Sequence, residues 1–306
     1  MNTAILKSKG ALKILFTATC ITAMSFSPFI EAHAQSDAVT KLTFQKDKFN
    51  RIFIPVKIDK DTLPVLFGTS SKTLRLTPYF MATRELYPSW NRLTLTDKNG
   101  KRKNRMIFYV PKMEIGPLKF RNEETIVNYA FPDSIATGST GTLLVNQYNW
   151  KIDNDRNEIS ISKKSFAPQQ PFITISYPKD SPPNTEVEIA GTTSEFGLDF
   201  GSGTTFQINS GSDLGQHLIS TYNLKPKTTL TSTIHRRKMV DTIYELVVPS
   251  LLVNGTEIKD QKVVLSSAAP YNVIGTGFLG NYNVIMNNSK KRKVESTFIL
   301  EKRLVD

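Results

Sequence analysis

The chain has 306 residues, 39% of them hydrophobic and 22% charged, and a formal net charge of +12. Those proportions are ordinary for a folded globular protein and exclude a disordered or collagen-like chain, and the length suits two modest domains that each bury a core. Three histidines and a single cysteine, Cys20, exclude a disulfide scaffold and a zinc site built on Cys/His spacing.

At the N-terminus, Lys7, Lys9 and Lys13 precede an apolar run from Ile14 to Ile30, and Ala32-His33-Ala34 offers a small-x-small cleavage site before Gln35. The pattern predicts a signal peptide over residues 1–34; the run is too short and too rich in Thr and Ser for a membrane span. Cys20 falls inside it and is a poor lipidation site, because Thr19 precedes it and apolar residues continue beyond it. Cleavage near Ala34 removes three lysines and Glu31, so the net charge falls from +12 to +10 and no thiol remains. The expectation is a secreted or periplasmic protein of a bacterial envelope, with no transmembrane segment after residue 35. Its charge favours acidic partners, although solubility alone also accounts for it.

Beyond the leader, Ile52 to Ile58 alternates apolar and polar residues and is rich in β-branched side chains, as a strand requires. Pro78 to Leu86 predicts a short helix. Asn99-Gly100, between Leu93-Thr94-Leu95-Thr96 and Met106-Ile107-Phe108-Tyr109, marks a hairpin. Asp153 to Glu158 has a faint calcium-loop character but lacks the central glycine, and its counterpart Asn287 to Arg292 is basic, so a strand-joining turn is expected. Lys163 to Asn184 carries five prolines, which sets a domain boundary near residue 167. Thr185 to Ile189 is again a strand, and Asp213 to Tyr222, with Leu214, Leu218 and Tyr222 at four-residue spacing, is a helix with His217 on its exposed side. The basic run Lys290 to Lys293 is expected to be a solvated turn.

Two halves of the chain repeat one another. Without a gap, Lys41 to Ser71 overlays Phe172 to Ser202, so that Thr43 meets Thr174, Val56 meets Val187, Ile58 meets Ile189, Thr62 meets Thr193 and Ser71 meets Ser202. Later, Val110-Pro111 matches Val248-Pro249, and Gly141-Thr142 and Tyr148-Asn149 match Gly275-Thr276 and Tyr282-Asn283. The spacing drifts by a few residues between blocks, as loop insertions produce.

The second copy leads an apolar strand into Leu198-Asp199-Phe200-Gly201-Ser202, then a hairpin, then Val273-Ile274-Gly275-Thr276-Gly277-Phe278-Leu279. The first copy supplies the late segment as Ala136 to Leu144. This order, found twice over roughly residues 41–300, resembles a retropepsin-type aspartic protease domain. The resemblance implies an all-β fold of two retropepsin-like lobes in a pepsin-like, pseudo-twofold arrangement, each with at most one or two short helices. The degenerate lobe would span 35–166 and the lobe with the Asp-Phe-Gly-Ser motif 167–306. It further implies that each lobe offers one loop to a shared cleft: Asp199, with Phe200, Gly201 and Ser202, facing Gly68, Thr69, Ser70 and Ser71.

In that family one carboxylate takes a proton from water while its protonated twin polarises the peptide carbonyl, and contact between the two makes them share a proton. This chain departs from the pattern at three points. No Asp or Glu occurs between Thr62 and Thr83, so either Gly68 (ungapped register) or Leu66 (shifted register) opposes Asp199. Phe200 replaces the usual Thr or Ser whose hydroxyl braces the facing loop, leaving Thr69 to supply half of the brace. Ser70 replaces the loop glycine that matches Gly201.

Two functional readings follow. In the first, the chain is a binding module whose inter-lobe cleft holds extended polypeptide with little or no hydrolysis. In the second, it is an aspartic endopeptidase that brings together Asp199 from the two chains of a homodimer. The hairpin ends carry Lys98, Lys101, Arg102, Lys103 and Arg105 in one copy and His235, Arg236, Arg237 and Lys238 in the other. Over the cleft, Arg105, Arg236 and Arg237 would favour an acidic ligand; as solvated hairpin tips they would have no such role. No cofactor, metal or nucleic-acid site is expected.

Overall fold

The computed structural model describes residues 39–84, 86–96, 102–128, 137–233, 236–290 and 294–304. The expected leader with Cys20, the Asn99-Gly100 turn with Lys98 and Lys101, Ala136, His235 and Lys291 to Lys293 lie outside the described residues.

The first half runs β1 (Thr40–Thr43), β2 (Gln45–Lys46), β3 (Ile52–Ile58), β4 (Asp61–Leu66), β5 (Leu74–Leu76), α1 (Pro78–Ala82), β6 (Tyr87–Thr96), β7 (Arg102–Ile115), β8 (Leu118–Val127), β9 (Gly138–Ser139), α2 (Thr142–Val145), β10 (Asn149–Asp153) and β11 (Glu158–Ser162). The second half runs β12 (Pro171–Tyr177), β13 (Asn184–Ile189), β14 (Thr192–Leu198), β15 (Phe206–Asn209), α3 (Asp213–Thr221), β16 (Lys227–Thr233), β17 (Arg236–Val253), β18 (Thr256–Ser266), β19 (Val273–Ile274), α4 (Thr276–Leu279), β20 (Tyr282–Asn287) and β21 (Ser296–Lys302). The fold is all-β and two-lobed. In the first lobe β3-β4-β9-β5-β8-β7 closes into a six-stranded barrel through β3–β7 pairing; in the second, β13-β14-β19-β15-β18-β17 closes through β13–β17. A third sheet, β1-β11-β10-β20-β21-β12, takes strands from both halves.

Alternation drives the barrels. Along β3 the residues Ile54, Val56 and Ile58 are buried while Pro55 and Lys57 face out, and β13 repeats this with Thr185, Val187 and Ile189 inside. The first-lobe hairpin is longer than its sequence signal, because pairing of β6 with β7 runs from Tyr87↔Tyr109 to Thr96↔Arg102, with a register shift between Pro88 and Arg92. Cross-strand pairing sustains these strands where alternation fades.

Among the described residues each lobe holds two short helices. α3 starts where Ser212 accepts a hydrogen bond from Gly215 N, with Asp213 in the first turn, a strong N-terminal signal. Its counterpart α1 is capped by Thr77 and ends at Ala82, four residues before the predicted Leu86. The turns α2 and α4 were not foreseen. Each begins at a glycine held against a loop: a Cβ on Gly141 would lie 2.4 Å from the Thr73 carbonyl carbon, and one on Gly275 2.4 Å from the Thr204 oxygen.

The lobes obey one set of bonds. Phe67 N donates to Ile52 O at 2.8 Å and Leu198 N to Pro183 O at 2.9 Å; Thr142 N donates to Ser71 O at 2.6 Å and Thr276 N to Ser202 O at 2.7 Å. In the shared sheet β10 pairs with β20 as Trp150↔Met286, Lys151↔Ile285 and Ile152↔Val284. The repeat equates Trp150 with Val284, Lys151 with Ile285 and Ile152 with Met286, so the pairing maps onto itself about the Lys151–Ile285 pair. The pseudo-twofold axis passes there. Around it the fully buried rings of Phe67, Trp150, Phe200 and Phe298 pack with centroids 5.1 Å (Phe67–Trp150), 5.7 Å (Phe67–Phe200) and 6.1 Å (Phe200–Phe298) apart. No helix among the described residues is long and apolar enough to cross a membrane.

Candidate functional site

Two loops meet beside this aromatic cluster, one leaving β4 and one leaving β14. Because Phe67 and Leu198 make equivalent bonds, the next residues correspond, and Gly68 rather than Leu66 opposes Asp199. A Cβ on Gly68 would lie 3.9 Å from Asp199 Oδ1. Leu66 is instead buried against Phe53.

The Asp199 carboxylate is half-buried and accepts three hydrogen bonds. Gly201 N donates to Oδ1 at 2.8 Å, Thr69 N to Oδ1 at 3.2 Å, and Ser70 Oγ to Oδ2 at 2.7 Å. Two of the three donors belong to the opposite lobe. Thr69 is buried, and its hydroxyl donates to Leu198 O at 2.6 Å, so the half of the brace expected of it is present. In the equivalent position Phe200 has no hydroxyl and packs its ring on Phe67 and Phe298, joining the loops by apolar contact. Thr140 Oγ1 fixes the degenerate loop, accepting from Gly68 N and donating to Gly68 O, both at 2.9 Å. Ser71 donates to Thr73 O, and Ser202 bonds Thr204 rather than the acid.

Chemically the pair of loops offers one carboxylate whose hydrogen-bond donors are two main-chain N–H groups and one hydroxyl. The side chain facing that carboxylate is the Ser70 hydroxyl and not a second carboxyl, and a serine hydroxyl is far too weak an acid to protonate a carbonyl.

Two residues without a strong sequence signal stand beside this carboxylate. Arg75, on β5, and Tyr271, just before β19, each interact electrostatically with Asp199 and with one another. Burial pushes the Tyr271 phenol up, the Asp199 charge adds to that, and Ser70 and Arg75 oppose it; the net result is a phenol that keeps its proton. Burial pulls the Arg75 guanidinium down, while the charges of Tyr271 and Asp199 hold it up. Arg75 has one faint mark in the sequence, a lone cation in Leu74-Arg75-Leu76.

The residues considered for an acidic ligand are not part of this cluster of bonds. Arg105 is half-buried in β7 opposite Leu93. Arg236 opens β17 opposite Thr233 and Arg237 follows it; the side chains of both lie outside the described residues. His217 lies on the exposed side of α3, its Nε2 3.3 Å from Ala190 O. No group of acids and histidines suited to a metal occurs among the described residues.

No protein-family model matches the chain, and no curated protein matches it.

Proposed function

We propose that the chain is an aspartic-protease-like binding protein of the retropepsin type, exported after loss of its leader, whose inter-lobe cleft holds extended polypeptide without cleaving it. One observation carries this reading: Asp199 is opposed by Gly68 and hydrogen-bonded by Ser70, where hydrolysis needs a second carboxyl. The outer strands of the lobes supply the binding half. β6 and β16 each end their sheet, and a free strand edge takes up an extended chain by main-chain pairing.

A homodimeric peptidase is not favoured. The face of Asp199 is already bonded by Thr69 and Ser70 of its own chain, and Thr69 ties that loop to Leu198, so a second copy's Asp199 has no place to enter.

The test incubates the mature protein and an Asp199→Asn variant with unstructured polypeptides between pH 3 and 7, with binding followed in parallel. Binding without cleavage by either protein is expected. Cleavage by the parent that disappears in Asp199→Asn overturns the reading and establishes a peptidase.

A further inference from the structure

Arg75 Nε is shut off from solvent and has no hydrogen-bond partner, although the guanidinium feels the charge of Asp199. A buried donor left unsatisfied is costly, which makes its retention informative. Its position is set by the sheet. Phe53 pairs with Leu66, Leu66 with Ser139, and Ser139 with Arg75, so these four side chains form a row across β3, β4, β9 and β5. Phe53 and Leu66 form a small cluster separate from the main core, so the row faces away from the barrel interior. The site of a Gly68 Cβ lies 3.8 Å from that of Ser139. Arg75 therefore flanks the position where the first lobe lacks an acid. In the second lobe the same row reads Gly197, Val273, Gln207, so the counterpart of Arg75 is a neutral Gln207. Tyr271 closes the other side, its ring edge 3.9 Å from the site of a Gly197 Cβ.

We propose that Arg75, with the Tyr271 phenol and the Ser70 hydroxyl beside it, is a receptor for a carboxylate of the bound polypeptide. The inference rests on the polypeptide-binding reading above and names the chemistry that reading selects. The two terminal N–H groups of a guanidinium lie side by side and match the two oxygens of a carboxylate, and the sealed Nε–H, which has no partner of its own, reports on what they bind. The nearby Asp199 charge repels a dianion more strongly than a monoanion, so a carboxylate fits better than a phosphate. Two sources supply that group: the C-terminus of a polypeptide, or an internal Asp or Glu.

The experiment has two arms. In the first, acetate is titrated into mature ¹⁵N-labelled protein while the Arg75 Nε–H signal is followed. In the second, anisotropy measures binding of one unstructured peptide made as a C-terminal acid, as a C-terminal amide, and as an amide with a central Gln→Glu change. Acetate is expected to shift the Arg75 signal saturably, and at least one carboxylate-bearing peptide to bind about tenfold tighter than the plain amide. Preference for the acid identifies the terminus as the source; preference for the Glu peptide identifies the side chain. Arg75→Gln, which installs the residue of the second lobe, should abolish the preference without lowering the melting temperature; Arg75→Lys should keep part of it, and Asp199→Asn should strengthen it. No saturable acetate shift together with equal affinity for all three peptides overturns the proposal and leaves the polypeptide reading standing. Acetate binding at Arg75 with no peptide bound keeps the carboxylate receptor and overturns the polypeptide reading.

Discussion

An aspartate at position 199 favours a glycine two residues on, because a Cβ on Gly201 would press to 3.1 Å from Asp199 Oδ1, which accepts from the Gly201 N–H at 2.8 Å. The degenerate loop has no acid of its own to crowd, so Ser70 fits at the matching position and turns its hydroxyl to Asp199 instead. The absence of an acid between Thr62 and Thr83 is legible in the sequence. The Ser70–Asp199 bond and the approach of Arg75 are not, because each joins segments brought together only by tertiary pairing. Gly68 leaves room for a side chain: its Cβ would make only ordinary contacts, the nearest at 3.5 Å to Thr140 O. Gly68→Asp should therefore fold and create a carboxyl pair that holds one proton above the unfolded reference of about 3.9. The folded state then binds more protons than the unfolded one, so the penalty is absent well below pH 4. It grows as pH rises, by about 1.4 kcal/mol for each pH unit between that reference and the pair's upper pKa. Urea midpoints of variant and parent at pH 3, 5 and 7 check this; a difference constant with pH contradicts it.

The strands β3 and β13 were readable from alternation and β-branched content, and α3 from Asp213 near its start and four-residue spacing, whereas longer strands such as β8 and β18 carry no such clean alternation. The turns α2 and α4 are too short to express a helical period, and their glycines are placed by backbone approach rather than by a local signal. The turn joining β10 to β11 was likewise expected, but not its partners more than a hundred residues away. Arg303 Nε donates to Asp155 Oδ1 at 2.6 Å and Asn283 Nδ2 to Oδ2 at 2.8 Å, so the turn is clasped to the end of β21 and the start of β20. Burial raises the Asp155 carboxyl, but the Arg303 guanidinium, the Asn283 amide and the Leu304 N–H outweigh it and hold it below the usual range. A carboxyl depressed in the folded state stabilises above its unfolded value and loses that contribution as pH falls through the folded one. Arg303→Gln should thus cost on the order of 1 kcal/mol at pH 7, and the cost should shrink below about pH 4. Chemical denaturation at pH 7 and pH 3 measures it, and an equal loss at both would refute the clasp.

The whole molecule is held by strands from both halves in one sheet and by rings packed across the axis, so neither lobe has a core wholly its own. Unfolding should therefore be a single transition despite two barrels. Trp150, fully buried at the junction, is the reporter, whereas Trp90 is wholly exposed on β6 and can be replaced by Phe to remove its signal. In Trp90→Phe protein, Trp150 fluorescence and far-ultraviolet dichroism should give one shared midpoint; two separated midpoints would mean the lobes unfold independently. The symmetric joint of β10 with β20 carries a consequence for what the halves can differ in. Two identical half-chains could meet there by the same pairing, and each would then mirror the other at every residue. A single polypeptide lifts that restriction, so a glycine stands across from Asp199 and an arginine occupies the position that is Gln207 in the other lobe.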